Sequence, residues 1–140
     1  LAGAADGETD FHIVEGLHGL SSMVQRNAEG ARQFGAGYRT IRMPVRRLDA
    51  LVREAGFSRV DVLKIDVEGA EALVLAGATR LLHEVRPRIY CEVAWNSADA
   101  VSALLHAAGY RLWSGATFRS RDDPTIERTE FNTVALPDPS

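Results

Sequence analysis

Residues 60–78 read VDVLKIDVEGAEALVLAGA, and this stretch decides the fold. Its alternating apolar residues predict a largely buried β-strand over residues 60–67, followed at once by a short helix that Gly77 ends or bends. Charged side chains interrupt the strand and open the helix: Lys64, Asp66, Glu68 and Glu71. Lys64 is the only lysine among the 16 basic residues of the chain. Charges in such a strand require a physical explanation, because burying an unpaired charge is unfavourable.

Helices and strands alternate on both sides of this stretch. Residues 46–57 place apolar side chains at helical spacing, with Gly56 at the end, and Pro87 stops a helix and opens a strand over residues 88–95. A helix over residues 98–109, capped by Asn96 or Ser97, precedes two final strands. Such alternation predicts parallel pairing through right-handed crossovers, and therefore an α/β layered fold.

The first 45 residues have a different character. We expect a strand over residues 8–14, an irregular surface connection over 15–37, and a short extended segment over 38–45 in which Pro44 favours an edge position. The interpretation is one domain over residues 1–140, with a strand-rich, irregular lead-in (1–45) and an α/β half-sheet (46–137).

Composition excludes several classes of protein. Hydrophobic residues make up 46% and charged residues 25% of the 140 positions, which is typical of a globular domain. The net charge of −3 suggests neither a nucleic-acid nor an anionic-membrane partner. No apolar run approaches the roughly 20 residues that span a bilayer, so we expect no membrane insertion. The single cysteine, Cys91, suits a reducing compartment, and we expect a cytoplasmic location.

The predicted sheet brings the carboxylates together. Asp66 and Glu68 lie at the carboxyl end of one strand and Glu92 toward the carboxyl end of the next. Ligands of α/β sheets bind beyond these strand ends, and neighbouring strands lie about 4.8 Å apart. Lys64 would neutralise part of this charge. The competing interpretation is an internal salt bridge that orients a strand-to-helix turn, with Glu71 stabilised by the helix dipole.

The same residues carry a family resemblance. Residues 60–93, VDVLKIDVEGAEALVLAGATRLLHEVRPRIYCEV, resemble the signature of the FkbM-type methyltransferases: a strand ending in K-x-D-x-E-G-x-E, a leucine-rich helix with GA, then R-P and a strand ending in Glu. The matching positions are Lys64, Asp66, Glu68, Gly69, Glu71, Gly77, Ala78, Pro87 and Glu92. The stretches GLSSM, VRRLDALVREAG, AAGY and FNTVAL also resemble family segments in the same order.

This resemblance implies a Rossmann-like class I sheet and S-adenosylmethionine-dependent O-methylation of a sugar, lipid or other small molecule. The family's glycine-rich cofactor turn precedes the part that this chain resembles, so we expect the first strands to be lacking. The resemblance implies catalytic roles for Lys64, Asp66, Glu68 and Glu92, cofactor contacts from Asp66, Glu68 and Gly69, substrate contacts from Ser22, Glu71 and Trp95, and no metal. Asp66 or Glu68 would be the base, and Lys64 would keep the carboxylates ionised.

Three alternatives stay open. Asp66-Val67-Glu68 is similar to the Asp-x-Asp pair of metal-dependent glycosyltransferases, although Lys64 and the immediate helix fit that class poorly. The chain could also be a non-catalytic, truncated methyltransferase-like module. His18 with Ser21 and Ser22 would suit a hydrolase, but no Gly-x-Ser-x-Gly motif accompanies them. The sequence does not predict the oligomeric state.

Overall fold

The computed structural model describes residues 1–139, apart from the side chains of His18, Asn27 and Ala28. The chain forms a mixed α/β fold with two sheets. The strands are β1 (Ala2–Gly3), β2 (Gly7–Val14), β3 (Tyr38–Arg47), β4 (Val62–Ile65), β5 (Arg88–Glu92), β6 (Tyr110–Ser114) and β7 (Asn132–Pro137). The α-helices are α1 (Gln25–Gly30), α2 (Leu48–Glu54), α3 (Glu71–Ala76) and α4 (Ala98–Ala107).

The first sheet has the order β1-β3-β2. β2 confirms the predicted strand at residues 8–14 and pairs antiparallel with β3 along its whole length. β3 is the middle strand only at its carboxyl end, so residues 38–45 have the edge position that the sequence predicts. β1 pairs only with Arg46 and Arg47, so Pro44 lies where β3 has a single strand partner and its missing N–H interrupts no second ladder.

Residues 15–37 are more ordered than the sequence predicts. They contain α1 and two 3₁₀ turns, His18–Leu20 and Ala31–Phe34. Val14 and Ala31 form a small separate core there, against which Tyr38 packs. Helical periodicity was not visible because α1 spans six residues, fewer than two turns, and this segment buries little apolar surface.

The second sheet has the order β4-β5-β7-β6. β4 and β5 pair in parallel, as predicted, but β7 is antiparallel to both β5 and β6. Parallel pairing therefore fails for the last strands. The connection from β6 to β7 contains no helix to carry the chain back across the sheet, so the two strands run in opposite directions. β4 is the terminal strand of this sheet.

The helices pack on this sheet and enclose the main core. Its largest buried side chains include Leu75, Leu81, Ile89, Leu105 and Leu112. Gly56 follows α2 with φ of +70°, and Gly77 ends α3, both as predicted. A Cβ atom on Gly77 would lie 2.0 Å from the carbonyl oxygen of Gly3, so only glycine lets β1 pack this closely on the end of α3.

Asp49 stabilises the backbone at residues 80–81, after α3. Its carboxylate accepts backbone hydrogen bonds from Arg80 (2.9 Å) and Leu81 (3.0 Å), where a π-helical segment, Leu81–Val85, begins. Asp49 therefore satisfies N–H groups at the start of that segment, although it lies on α2, more than 30 residues earlier. Within residues 1–139, no helix has the length and apolar character needed to cross a membrane.

Candidate functional site at the carboxyl ends of β4 and β5

The charged residues after β4 do not share one strand face. β4 ends at Ile65, two residues earlier than predicted, and a tight turn follows before α3. Glu68 has φ of +49° and Gly69 has φ of +93°, so both lie in the left-handed region. This conformation is unfavourable for a residue with a Cβ atom, and such strain is concentrated at functional sites.

Lys64 lies between two carboxylates. Its Nζ atom is 2.8 Å from Oδ2 of Asp66 and 3.4 Å from Oε1 of Glu92 at the end of β5. The hydrogen bond to Asp66 is the main reason why the pKa of Lys64 is raised. The side chains of Lys64 and Asp66 are 56% and 40% exposed, so this ion pair avoids the desolvation that a buried strand would impose.

The first sheet and its connection hold the turn that carries Glu68. The Ser22 hydroxyl donates a 2.7 Å hydrogen bond to the carbonyl oxygen of Glu68 and accepts one from the backbone N–H of Val24. Ser22 is buried, and its backbone bridges to His12 on β2. This hydrogen bond joins the lead-in to the turn that follows β4.

Glu71, which is buried, also stabilises this turn by a hydrogen bond. This carboxylate is 1% exposed, and its Oε1 atom accepts a 2.6 Å hydrogen bond from the backbone N–H of Gly69. Its Oε2 atom accepts a 2.6 Å hydrogen bond from the hydroxyl of Ser97. Ser97 is the residue before α4, but its hydroxyl makes no cap there; it joins Glu71 and the carbonyl of Ala94 instead.

The carboxylates surround a small cavity. Asp66, Glu68, Glu71 and Glu92, with Ala94 and Phe131, line a space of about 50 Å³. Burial raises the pKa of Glu68, and repulsion from Asp66, Glu71 and Glu92 raises it further. Lys64 pairs with two members of this group, Asp66 and Glu92.

A larger cavity opens from the same wall. It has a volume of about 350 Å³ and shares Glu68 and Ala94 with the small one. Its other lining residues are Leu20, Arg26, Gly30, Phe34, Trp95 and Asn96. The Trp95 side chain is 79% exposed. The acidic cluster therefore adjoins a space large enough for a small organic molecule.

The structure brings most of the predicted site residues together. Lys64, Asp66, Glu68, Glu71 and Glu92 form one cluster, Gly69 lies in the turn, Trp95 lines the adjoining cavity and Ser22 holds the turn from behind. Their assignments to catalysis, cofactor and substrate stay predictions. The side chain of His18 lies outside the described residues. Among the residues that are described, no three His, Cys, Asp or Glu side chains form a group able to hold a metal ion.

Sequence reasoning missed Ser97 and Phe131. Ser97 meets Glu71 across 26 residues of sequence, and Phe131 enters from the long connection before β7. Neither has a local signal, since each is placed by the packing of the sheet. Cys91 is buried, and burial is the main cause that raises its pKa to about 12, so it is a poor nucleophile.

Comparison with known proteins gives two results. The profile of the family described as "Methyltransferase FkbM domain" matches residues 1–112. The "AMB antimetabolite synthetase AmbE" of Pseudomonas aeruginosa is 37% identical over an alignment of 104 residues that covers 68% of this chain. The matched part is 5% of that protein's length, so the chain spans a small fraction of this relative. No solved structure was found to match the chain at comparable significance.

Proposed function

Because this chain belongs to the FkbM methyltransferase domain family, we propose that it takes part in S-adenosylmethionine-dependent O-methylation of a small-molecule, sugar or lipid hydroxyl. The observation that carries the proposal is the cluster of four carboxylates beside a single lysine. We also infer that the second sheet is half of a Rossmann-like class I sheet. The parallel β4–β5 pair, with the cluster at its carboxyl ends, supports this inference.

The chemistry of the cluster fits a cationic cofactor. S-adenosylmethionine, when bound, supplies a transferable methyl group on a positively charged sulfur. Asp66, Glu68 and Glu92 would favour that charge, because their mutual repulsion is relieved by a cation. Lys64, which pairs with Asp66 and Glu92, would limit the repulsion. Gly69 would allow close approach of the turn to the cofactor, since it has no side chain.

Glu68 is the best candidate for the base. It faces both the acidic cavity and the larger one, and it is the only one of the four carboxylates that does so. Its raised pKa brings it closer to neutral pH, which improves its ability to accept the proton of an acceptor hydroxyl. Asp66 and Glu92, held by Lys64, would orient the reacting groups and keep the site electronegative.

Ser22 and Glu71 act on the site through other atoms. Their polar atoms are hydrogen bonded to the carbonyl of Glu68 and the N–H of Gly69. We therefore infer that both are positioning residues for the turn, and that their effect on substrate is indirect. Trp95 contacts the acceptor from the larger cavity. The cytoplasmic location stays a prediction from the sequence.

Isothermal titration calorimetry with S-adenosylhomocysteine tests the proposal. We expect saturable binding that weakens in the Asp66→Asn variant. Asp61→Asn is the matched control, because Asp61 lies just before β4, at its opposite end, and pairs with Arg59. Equal weakening by both substitutions would contradict a role for the cluster.

The glycosyltransferase alternative has its own readout in the same experiment. In a second titration, a uridine diphosphate sugar with Mn²⁺ takes the place of S-adenosylhomocysteine as the ligand. Metal-dependent binding of the nucleotide sugar, without binding of S-adenosylhomocysteine, would reject methyl transfer and support glycosyl transfer as the function. Binding of neither ligand would leave the chain as a non-catalytic module.

A further inference from the structure

The larger cavity combines apolar rings with one cation. Phe34 and Trp95 are 77% and 79% exposed, although their rings are large and apolar. Both line the cavity beside the acidic cluster. Phe131, 67% exposed, lines the small cavity next to it. Exposed aromatic side chains that gather at one cavity are typical of a binding surface, because a ligand ring can cover their apolar faces.

Arg26 makes the charge of the larger cavity asymmetric, because Arg26 and Glu68 both line it. It lies on α1 and takes part in none of the ion pairs found among the described residues. Glu68 lines the same cavity and belongs to the electronegative cluster. An acidic group on a ligand is attracted by Arg26 and repelled by Glu68. A molecule with one acidic group therefore has one favoured orientation, with its uncharged part toward Glu68.

We propose that this cavity selects an acceptor that carries a ring and one acidic group, either a carboxylate or a phosphate. Phe34 and Trp95 contact the ring, Arg26 binds the acidic group, and the opposite side of the ring presents a hydroxyl to Glu68. This inference rests on the proposed methyl transfer, since it treats Glu68 as the base. It narrows the acceptor from any sugar, lipid or small molecule to ring-bearing acids.

The two tryptophans provide a direct readout by NMR. Trp95 lines the cavity, whereas Trp113 is buried and its indole N–H donates to the carbonyl oxygen of Asp123. In ¹H–¹⁵N spectra of the protein, Trp113 is therefore the internal reference. Four probes are titrated: phenyl phosphate, benzoate, benzyl alcohol and inorganic phosphate. Each titration is run with and without S-adenosylhomocysteine, so that ordered binding does not hide a response.

We expect the Trp95 signal to move with phenyl phosphate or benzoate while the Trp113 signal stays fixed. The ring without the acid and the acid without the ring should bind at least about fivefold more weakly, since each lacks about 1 kcal/mol of contact. Whichever of phenyl phosphate and benzoate binds more tightly identifies the acidic group.

Arg26→Gln should weaken binding of the acidic probe about fivefold and leave benzyl alcohol unchanged. Arg39→Gln removes the same charge from β3, at a residue outside the cavity lining, and should have no effect. A fixed Trp95 signal, equal binding of benzyl alcohol and the acids, or equal losses in both variants would overturn the proposal.

The outcome separates this inference from the proposed function. Binding of S-adenosylhomocysteine without any response of Trp95 rejects the acceptor class and leaves methyl transfer standing. A Trp95 response in a protein that binds no S-adenosylhomocysteine rejects methyl transfer and retains a binding site for ring-bearing acids.

Discussion

The two ends of the β4–β5 pair carry opposite charges and use them differently. Beside the amino ends, Arg59, Arg86, Arg88 and Arg121 line a cavity of about 720 Å³. Beyond the carboxyl ends, four carboxylates surround a space of about 50 Å³. Size and charge alone would make the arginine cavity the more attractive ligand site.

Hydrogen bonding distinguishes the two ends. The guanidinium of Arg86 donates to the carbonyl oxygens of Ala108, Gly109 and Asp138, and that of Arg121 donates to Pro137. These arginines hold the chain's own backbone. Lys64 pairs with two of the carboxylates, Asp66 and Glu92. Burial raises the pKa of Glu68, and repulsion from the neighbouring carboxylates raises it further. At the amino ends, Arg86 and Arg121 are therefore used by the fold, whereas the carboxyl ends gather four carboxylates at one cavity, which is where we propose that the site lies.

Glu71 is the test case at the carboxyl end, because it is the carboxylate whose oxygens are fully used by the fold. Glu71→Ala would leave the N–H of Gly69 and the hydroxyl of Ser97 without their acceptor. We expect a loss of about 3 kcal/mol in the free energy of unfolding, measured by urea denaturation. Glu71→Gln keeps one acceptor oxygen and should lose less. A neutral effect of both would show that the turn does not depend on this carboxylate.

Arg86 is the corresponding test at the amino end. Arg86→Ala removes three hydrogen bonds to carbonyl oxygens and should lower the free energy of unfolding by about 2 kcal/mol. Binding of S-adenosylhomocysteine by the folded variant should not change. Arg88→Ala, at an exposed neighbouring position, is the control and should change stability by less than about 0.5 kcal/mol. Weaker binding of S-adenosylhomocysteine by Arg86→Ala would contradict the view that only the carboxyl ends of β4 and β5 bind ligand.

Sequence patterns predicted the parts of the fold that depend on local order. The strand at residues 8–14, the parallel pairing of β4 with β5, and the glycine that ends α3 each follow from periodicity or from backbone freedom. The sequence also predicted that Asp66 and Glu92 lie close together, because both come at the carboxyl ends of neighbouring parallel strands. The antiparallel insertion of β7 could not be predicted this way, since it depends on which sheet edge is free.

Long-range hydrogen bonds were also beyond the sequence. Asp49 reaches Arg80 across 31 residues, and Ser22 reaches Glu68 across 46. No periodicity links such pairs, because their partners are fixed by packing of separate elements. The sequence pattern predicts a largely buried strand, whereas Lys64 on β4 is exposed. Apolar alternation does not show how much of a strand its neighbours cover, and β4 has one strand neighbour among residues 1–139.

Glu68 should show opposite effects on stability and on binding. Its left-handed backbone favours glycine, so Glu68→Gly should raise the free energy of unfolding by about 1 kcal/mol. The same substitution should weaken binding of S-adenosylmethionine, because it removes a carboxylate from the cluster. Chemical denaturation and calorimetry on one preparation measure both. A variant that loses stability would indicate that the Glu68 side chain is part of the fold.

The smallest effect concerns pH. The pKa of Glu68 is higher in the folded chain than its ordinary value of 4.5, so the folded state disfavours its charged form. This penalty is absent below the unfolded pKa and grows as pH rises through the raised folded pKa. Glu68→Gln should therefore stabilise the protein by about 0.5 kcal/mol at pH 7, after allowance for solvent screening. This gain in stability should vanish below pH 4.5. Thermal melts of both proteins across this pH range measure it, and a gain that persists below pH 4.5 would contradict the assignment to Glu68.

The most direct test of the central claim compares two ligands that differ in charge. S-adenosylmethionine carries a positive sulfur, and S-adenosylhomocysteine does not. If this cluster of carboxylates forms the cofactor site, Asp66→Asn and Glu68→Gln should each weaken binding of the charged ligand at least about fivefold more than binding of the neutral one. Calorimetric titration of both ligands into the protein and its variants measures this ratio. An unchanged ratio in both variants would contradict the claim.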